Sequence, residues 1–414
     1  MPDTKDALLA GIERDRDRLV EFLSGFVRAR SPNPPGDTLA AAAHVRKLLD
    51  AEGIAYKIVD PQPTMPNIVA TFEGPSPGPH LVLNGHIDVF PVGTETWKHD
   101  PWGGVIADGK VWGRGASDMK CGTSCSIFTY IYLHRIRDKL KGRLTLTAVS
   151  DEETFGPWGA RYLIEHMPDE VLGDCCLNGE PSGAETIRFG ERGLLWLAVT
   201  VKTRGAHGAY VHLSKSASRI AAEIVGELAA IEKIKAPVSH NFAPLMEAAR
   251  VEMDRALGAG ATDIVNRVTL NVGKMDAGLK VNMIPAECRL ELDIRLPLGV
   301  ERETVMREVN AIVARHPEAS VEEINHTAGY WCDPHGTMIG FMQNNVEKMT
   351  GQRPKPIVSL GGTDARLWRK AGVPAYVYGP VPSGMGGADE HVEIEEFLHV
   401  MRTHVLSAYD YLTQ

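Results

Sequence analysis

The stretch Asn84-Gly85-His86-Ile87-Asp88 decides the fold class of this chain. It closes an almost wholly apolar run that begins at His80 and predicts a strand ending near Val89. A strand without alternating polar residues is buried on both faces, as in the sheet of an α/β protein. The ends of successive strands meet at one edge of such a sheet, where functional sites are built. We therefore predict a functional site that includes His86.

Further acidic residues and a second histidine follow at the ends of later predicted strands and turns. They lie in the segments Ser117-Asp118-Met119, Asp151-Glu152-Glu153, Gly179-Glu180-Pro181 and Glu390-His391. Imidazole nitrogens and carboxylate oxygens bind zinc-like ions, and catalytic sites keep one position open for water. This set is large enough to hold two divalent ions and leave one carboxylate free as a base. A dinuclear metal hydrolase is the leading hypothesis.

Each of these residues also has an ordinary structural explanation. A lone histidine after a strand, such as His86, is usually structural or exposed, and an Asp-Glu-Glu run is usually a solvated turn. Asp118 could simply cap the helix that the pattern predicts from Asp118 to Arg137. The occurrence of all these residues together, in order and at strand ends, favours the metal site.

Local spacing suggests a different task for each carboxylate. His86 and Asp88 are two residues apart on the predicted strand and face the same side. Asp88 can then hydrogen-bond the imidazole nitrogen that does not bind metal. Glu152 and Glu153 are adjacent and diverge, so one can bind metal while the other acts as a base. Asp118 is the natural bridge between two ions.

Composition indicates an ordinary globular protein. At 414 residues the chain is longer than one core usually serves, which predicts two domains. A net charge of −9 without any basic run argues against nucleic acid or an anionic membrane as partner. The six cysteines form neither a zinc-ribbon nor a disulfide pattern. The N-terminus lacks the apolar core of a signal peptide, and no window reaches the roughly 18 apolar residues of a membrane span. We expect a cytoplasmic protein.

The order of predicted elements changes character in the middle third of the chain. Residues 191–327 give strand-helix-strand-strand-helix-strand, the split βαβ arrangement of a ferredoxin-like sandwich. The flanking residues alternate strands and helices. We therefore predict a discontinuous α/β domain, 1–190 and 328–414, with an α+β domain, 191–327, inserted into it.

As an ordered set, the motifs resemble the dinuclear-zinc family of acetylornithine deacetylase, succinyl-diaminopimelate desuccinylase, aminoacylase and glutamate carboxypeptidase. The resemblance extends from about Leu83 to the C-terminal helix. It implies a zinc-exopeptidase-like α/β catalytic domain with an inserted ferredoxin-like lid that also forms dimers. The segments that carry it are NGHIDV, GRGASDMKCG, SDEE, GEPS, GAHGAYVH, NMIPAE, DIR, GGTDAR and EHVEIEE.

The resemblance implies two divalent ions in each subunit, and Asp118 would bridge them. Glu153 and His391 would complete one position, while His86 and Glu180 would complete the other. Zinc is the expected ion, and cobalt or manganese also suit a mixed nitrogen and oxygen donor set.

Catalytic roles also follow from the resemblance. Glu152 would be the general base that deprotonates the attacking water, and Asp88 would orient the first histidine ligand. His207, in the inserted domain, would reach the active site of a partner subunit and stabilise the oxyanion. That role implies a homodimer or a larger assembly of dimers.

The same family places substrate contacts in the lid and in a late loop. Asn282 and Arg295 match lid positions that contact substrate, and a guanidinium can take both oxygens of a carboxylate. Gly361, Gly362 and Thr363 match a loop whose backbone approaches the substrate closely. The ordinary alternatives are a turn residue for Asn282 and a surface ion pair for Arg295.

Three features depart from the family pattern. Tyr210-Val211-His212 stands where many relatives have Tyr-Pro-His, and the Gly-Gly-Thr-Asp segment lacks the serine that the two biosynthetic deacylases often carry. Pro380 to Gly387 holds two prolines and three glycines and is expected to shape the pocket in its own way. These departures weaken assignment to either biosynthetic enzyme.

The expected function is metal-dependent hydrolysis of the amide bond of a small N-acyl amino acid or a related carboxylate-bearing compound. Two enzymatic alternatives stay open. One is a dipeptidase or carboxypeptidase, and the other is hydrolysis of a non-amide C–N bond, such as deamination of an aromatic amine. A metal-stabilised binding protein without catalysis is the alternative from a different class.

Overall fold

Strands and helices alternate through most of the chain. The computed structural model describes residues 4–237 and 242–414. The helices are α1 (Thr4–Arg14), α2 (Arg16–Arg28), α3 (Leu39–Ala51), α4 (Cys121–Arg135), α5 (Ala160–His166), α6 (Pro168–Val171), α7 (Ala217–Leu228), α8 (Ala243–Ala248), α9 (Arg250–Leu257), α10 (Ala261–Ile264), α11 (Arg302–Val313), α12 (Thr337–Thr350), α13 (Ala365–Lys370) and α14 (Ile394–Tyr411). The strands are β1 (Lys57–Val59), β2 (Asn67–Glu73), β3 (Ser76–His86), β4 (Val105–Ala107), β5 (Lys110–Trp112), β6 (Lys141–Val149), β7 (Cys175–Asn178), β8 (Thr186–Glu191), β9 (Gly193–Lys202), β10 (Ala206–His207), β11 (Thr269–Ala277), β12 (Met283–Ile284), β13 (Glu287–Leu296), β14 (Ala319–Thr327), β15 (Tyr330–Trp331), β16 (Lys355–Ser359), β17 (Ala375–Val377) and β18 (His391–Glu393).

The largest sheet carries the predicted site at one edge. Its strand order is β1-β2-β6-β3-β7-β17-β8-β15, and β16 pairs with β8. The four central strands β6, β3, β7 and β17 are parallel to one another, whereas β2 and β8 pair with them in the antiparallel direction. Leu81 and Leu83 of β3 join the core under α2, α4 and α14, while Val82 joins the core under α5 and α13. Burial on both faces explains the apolar run Leu81–Leu83 in the second half of β3, the half that the sequence pattern predicts.

A second sheet is formed by the middle of the chain. Its antiparallel strands have the order β11-β13-β9-β14, and α7 and α11 pack on it around a separate apolar core. This is the ferredoxin-like arrangement expected from the order of elements. Strand β11 begins at Thr269, whereas the sequence pattern predicts a strand from Ile264, a residue that ends α10.

The chain passes between the two sheets twice, at neighbouring points. It leaves the large sheet between β8 and β9 and returns between β14 and β15, close to the predicted boundaries 190/191 and 327/328. Helices α8, α9 and α10 lie within the range 191–327, yet Met246 and Met253 of this segment pack into the core of the large sheet. The boundaries themselves stay a prediction, and the ranges include residues 1–3 and 238–241, which lie outside the described part.

The N-terminal helix shows why an amphipathic pattern does not locate a helix break. One helix is predicted from Leu8 to Val27, and the structure has two, α1 and α2, which meet at Asp15. Both bury apolar residues in the same core, so one continuous apolar pattern suits either form.

In residues 4–237 and 242–414, no helix is both long and apolar enough to cross a membrane. All six cysteines are free thiols, as the sequence pattern predicts.

The burial of His404 on α14 is expected to make the free energy of unfolding depend on pH. The residue is fully buried, its Nε2 donates to the carbonyl oxygen of Tyr378 at 2.6 Å, and its Nδ1 has no hydrogen-bond partner among the described residues. Burial lowers the pKa of His404 to about 4, below the value of about 6.5 for an unfolded chain. The unfolded chain therefore binds an extra proton between these values, and stability is lost as the pH falls from about 6.5 to 4.

We expect this histidine to contribute about 3 kcal/mol to the difference in unfolding free energy between pH 7 and pH 4. Urea unfolding of the His404→Gln variant, which keeps a donor for Tyr378, should show a flatter pH profile than the wild type. The exposed His166 gives the control His166→Gln, which should keep the wild-type profile. Parallel profiles for wild type and His404→Gln would contradict the assignment.

Candidate metal centre

Three of the predicted ligands come together at the edge of the large sheet. His86 ends β3, Glu180 follows β7, and Asp118 lies in the turn before α4. His86 Nε2 lies 3.3 Å from Asp118 Oδ1 and 3.1 Å from Glu180 Oε1. One donor atom of each residue lies within 4.8 Å of the others, and all three side chains are buried. One imidazole and two carboxylates are a donor set typical of zinc and similar ions.

The cluster has the properties expected of residues that hold a cation. His86 Nε2, Asp118 Oδ1 and Glu153 Oε1 are buried without a hydrogen-bond partner among the described residues. Burial raises the pKa of Glu180 and of Glu153, and the neighbouring carboxylate of Asp118 raises both further. Buried polar atoms are normally paired, so a divalent ion is the group that fits these residues.

Asp88 fixes the orientation of His86 and of the next acidic turn. His86 Nδ1 donates to the carbonyl oxygen of Asp88 at 2.8 Å, which leaves the Nε2 lone pair facing the cluster. The Asp88 carboxylate accepts hydrogen bonds from the backbone N–H groups of Glu152 and Glu153 at 3.3 and 3.1 Å, and from Asn33 Nδ2 at 2.9 Å. Asp88 lies just beyond the end of β3, and its carbonyl makes the shorter contact with the imidazole.

Asp118 is held by a carboxylate that the sequence did not single out as a positioning group. The residue was expected to open a helix, but it lies in the turn Ala116–Lys120 with φ −113° and ψ 102°, before α4 begins at Cys121. Glu390 Oε1 accepts hydrogen bonds from the N–H groups of Ser117 and Asp118, both at 3.0 Å. Glu390 Oε2 is paired with Arg114 at 2.5 Å in a fully buried contact.

Two glycines allow the segments that carry Asp118 and Glu180 to approach each other. A Cβ atom on Gly122, in the first turn of α4, would lie 1.9 Å from the carbonyl oxygen of Gly179. A Cβ atom on Gly179 would in turn lie 2.5 Å from the Cα atom of Gly122. Neither position accommodates a side chain at this backbone separation.

Glu152 and Glu153 line a cavity of about 370 Å³ beside the cluster. Glu152 is buried, and its Oε1 lies 3.4 Å from Nη1 of Arg366, whose guanidinium stacks 4.3 Å above the ring of Phe155. Burial raises the pKa of Glu152. Arg366 therefore lies close enough to the predicted base to interact with it, a contact that the sequence alone does not specify.

The glycine-rich loop forms another part of the cavity wall. Gly361, Gly362 and Thr363 all line it. Glu191 accepts hydrogen bonds from the N–H and the Oγ1 of Thr363 at 3.0 and 2.8 Å, and it is paired with buried Arg369 at 3.0 Å. The end of β8 therefore fixes the position of this loop.

Two arginines line the cavity, and they differ in their partners. Arg295, the predicted carboxylate contact, is already paired with Asp293 at 2.9 Å. Arg188 of β8 is buried, makes no ion pair among the described residues, and has no hydrogen-bond partner for Nε. Burial lowers the pKa of Arg188. Sequence reasoning missed Arg188 because β8 was not predicted, and an isolated arginine gives no other signal.

His207 and Asn282 lie together, away from the cluster. His207 is on β10, which pairs with β12, and Gly208 N–H donates to the carbonyl oxygen of Asn282 at 2.7 Å. Both residues are exposed, and neither lines the cavity of the metal cluster. The structure therefore brings these two predicted residues to each other and not to the metal cluster.

The structure does not bring His391, to which the resemblance assigned a metal position, to the three clustered donor residues. Its Nε2 lies 3.1 Å from Lys110 Nζ, and its Nδ1 donates to the carbonyl oxygen of Asp389 at 2.8 Å. His391 is paired with Trp112 across β18 and β5, and the two rings pack together with centroids 4.4 Å apart. The preceding Glu390, just before β18, is the residue whose carboxylate reaches the backbone of Asp118.

Comparison with known proteins gives a consistent picture. Residues 82–409 match the sequence model described as peptidase family M20/M25/M40. A succinyl-diaminopimelate desuccinylase of Cereibacter sphaeroides is 30% identical over 405 residues, which cover 95% of this chain and 99% of that protein. The structure of human carnosine dipeptidase 1 has a TM-score of 0.82 at 16% identity and covers 100% of both chains. The M20 family metallo-carboxypeptidase Sso-CP2 from Sulfolobus solfataricus has a TM-score of 0.80 at 18% identity and covers 96% of this chain and 99% of that chain.

The α/β sheet with its inserted domain, and the buried histidine and carboxylate cluster at the sheet edge, define a metal-dependent hydrolase. The chain belongs to peptidase family M20/M25/M40. It is a metal-dependent amidohydrolase, and the predicted fold and family are confirmed.

Proposed function

We propose that the protein hydrolyses the amide bond of a small N-acyl amino acid or a related substrate that carries a carboxylate. The observation that carries the proposal is the content of the 370 Å³ cavity. It joins the metal cluster, the carboxylate of Glu152 and the unpaired guanidinium of Arg188 in one space. A small substrate in this cavity can contact the activating ion, the base and a guanidinium that pairs with the substrate carboxylate.

The residues divide the chemical work as follows. A divalent ion on His86, Asp118 and Glu180 would supply Lewis-acid polarisation of the scissile carbonyl. Glu152 accepts the proton of the attacking water and passes it to the leaving amine. Arg366, 3.4 Å from Glu152, favours the charged form of that carboxylate before the proton arrives.

Arg188 is the proposed anchor for the substrate carboxylate. A buried guanidinium without an ion pair is costly, and a carboxylate that pairs with it recovers this cost on binding. Arg295 contributes a second positive charge at the cavity wall while it keeps its contact with Asp293. Phe90, Leu257 and Met385 line the same cavity and give the acyl group an apolar wall.

We further propose that the inserted domain, residues 191–327, forms a homodimer and that His207 and Asn282 act in the partner's site. The exposed position of both residues and of neighbouring apolar side chains supports this proposal. Leu279 and Val281, in the loop before β12, are 91% and 101% exposed. An apolar cluster on the surface is typical of an interaction site.

The metal content and location belong to the proposal as well. The resemblance predicts two ions per subunit, with zinc expected and cobalt or manganese as alternatives. His86, Asp118 and Glu180 would hold one ion, and Asp118 with Glu153 would contribute to the other. The six free thiols support a reducing compartment such as the cytoplasm.

A substrate screen tests the proposed reaction. The metal-loaded enzyme is incubated with pooled N-acyl amino acids, dipeptides and aromatic amines, and products are identified by mass. We expect free amino acid from the N-acyl pool. Hydrolysis of dipeptides alone, or of aromatic amines alone, would replace the proposal with one of the two enzymatic alternatives.

The Arg188→Met variant tests the carboxylate anchor with the best substrate of that screen. Loss of one charge-assisted contact should lower kcat/KM by about 10- to 100-fold. The carboxamide analogue of the same substrate is the matched control, because it lacks the charge that Arg188 would bind. Equal losses for acid and carboxamide would show that Arg188 acts on something other than the substrate carboxylate.

A further inference from the structure

The edge of the cluster near β18 differs from a symmetrical two-metal site. His391 is the second histidine of the predicted ligand set, and both of its ring nitrogens already have partners. The Nε2 lone pair faces the Lys110 ammonium, which also pairs with Glu393 at 2.9 Å. An ammonium in that position donates a hydrogen bond and repels a metal cation. His391 is therefore unsuited to bind an ion.

The preceding segment offers no replacement ligand. From residue 380 to residue 389 the chain has one carboxylate, Asp389, and its Oδ1 accepts a hydrogen bond from the N–H of Lys98 at 2.6 Å. The residues of this segment that line the cavity are Pro382 and Met385. The wall that would complete a second metal position is thus apolar.

Carboxylates alone remain for a second ion. Asp118 Oδ1 and Glu153 Oε1 are buried and unpartnered among the described residues, whereas Glu152 faces Arg366. Oxygen-only ligands suit magnesium or manganese, and zinc binds more firmly where nitrogen or sulfur is present. The two positions therefore differ in chemistry.

We propose that each chain holds one divalent ion tightly, on His86, Asp118 and Glu180, and that a second ion between Asp118 and Glu153 binds weakly for want of an imidazole. This inference rests on the proposed function, because it takes the cluster to be the metal site of the enzyme. Its test counts bound ions and needs no turnover, so failure of either proposal is recognised separately.

Metal counting on the full chain tests the inference. The protein is stripped with a chelator, reloaded with excess zinc, passed through a desalting column, and analysed by elemental mass spectrometry. We expect about one zinc per chain. Titration calorimetry of the stripped protein should give a second zinc affinity at least about 100-fold weaker than the first. Two zinc ions retained per chain would overturn the inference.

Three variants assign the ion to its ligands. Glu180→Gln should lose the tight ion, Glu153→Gln should retain it, and His391→Gln should retain it with unchanged affinity. A fall in the number of retained ions in His391→Gln, with normal circular dichroism, would overturn the inference. Electron paramagnetic resonance of the protein loaded with one manganese ion per chain gives an independent measurement. We expect the spectrum of an isolated ion. The spectrum of a spin-coupled pair of ions at this loading would contradict the proposal.

Discussion

Replacing Glu152 by glutamine is expected to lower turnover by about 10²- to 10⁴-fold and to leave the tightly bound metal ion in place. Glutamine has the size of glutamate but cannot accept a proton from water. Glu152 lines the cavity, while the clustered donor atoms belong to His86, Asp118 and Glu180. Loss of the base should therefore separate catalysis from metal binding.

Two measurements check this result in parallel. Initial rates with the screened substrate give the loss of turnover, and elemental analysis of the same samples gives the metal content. The exposed Glu165 on α5 provides the control Glu165→Gln, which changes the net charge equally and should leave both values unchanged. Near wild-type rates for Glu152→Gln would remove this residue from the mechanism.

Replacing Glu390 by leucine should lower the free energy of unfolding by about 3–5 kcal/mol. The change leaves the guanidinium of Arg114 buried without its carboxylate, and Ser117 and Asp118 lose the acceptor of their N–H groups. Because Asp118 is a predicted ligand, metal affinity should fall as well. Urea unfolding with and without zinc measures both effects.

A double variant separates the buried charge from the lost positioning of Asp118. Adding Arg114→Met to Glu390→Leu removes the unpaired charge and should restore a substantial part of the stability, while the weaker metal binding remains. Glu73→Ala is the control for an exposed ion pair: Glu73 is 67% exposed beside Arg143, and a change of at most about 1 kcal/mol is expected. A loss for Glu390→Leu no larger than this control would show that the buried pair contributes little.

The fold could be predicted largely from the apolar pattern. The run before His86 gave a strand buried on both faces, and the series of elements in the middle third gave the ferredoxin-like sheet. The packing of helices α8 to α10 on the main core could not be predicted from the sequence. Their apolar residues look the same whether they pack on the inserted sheet or, as Met246 and Met253 do, on the main core.

Much of the ligand cluster could be predicted from the sequence because two of its residues follow predicted strands. His86 and Glu180 were brought together by parallel strands that end at one edge, a rule that needs only the sequence pattern. Asp118 also reached the cluster, but as part of an irregular turn whose shape depends on Glu390, 272 residues away in the chain. A propensity for helix says nothing about such a distant partner.

Other features of the site depend on side-chain direction, which the sequence does not record. His391 and Glu390 are neighbours, and which of them faces the cluster is decided by the pairing of β18 with β5. Arg188 and Arg366 could be recognised as site residues only from the structure. It shows that both are buried, that Arg188 has no ion-pair partner among the described residues, and that Arg366 lies beside Glu152. A charged residue gives the same signal on the surface and in a cavity.

The contact between Gly122 and Gly179 has a consequence for engineering. The distance between two of the proposed ligands is limited by a backbone contact of residues that bind nothing themselves. Exchange of ligand side chains alone would alter the chemistry of the donor atoms while the spacing of their main chains stayed the same. A redesign for an ion of larger radius therefore has to begin at these two glycines, where added bulk would widen the gap.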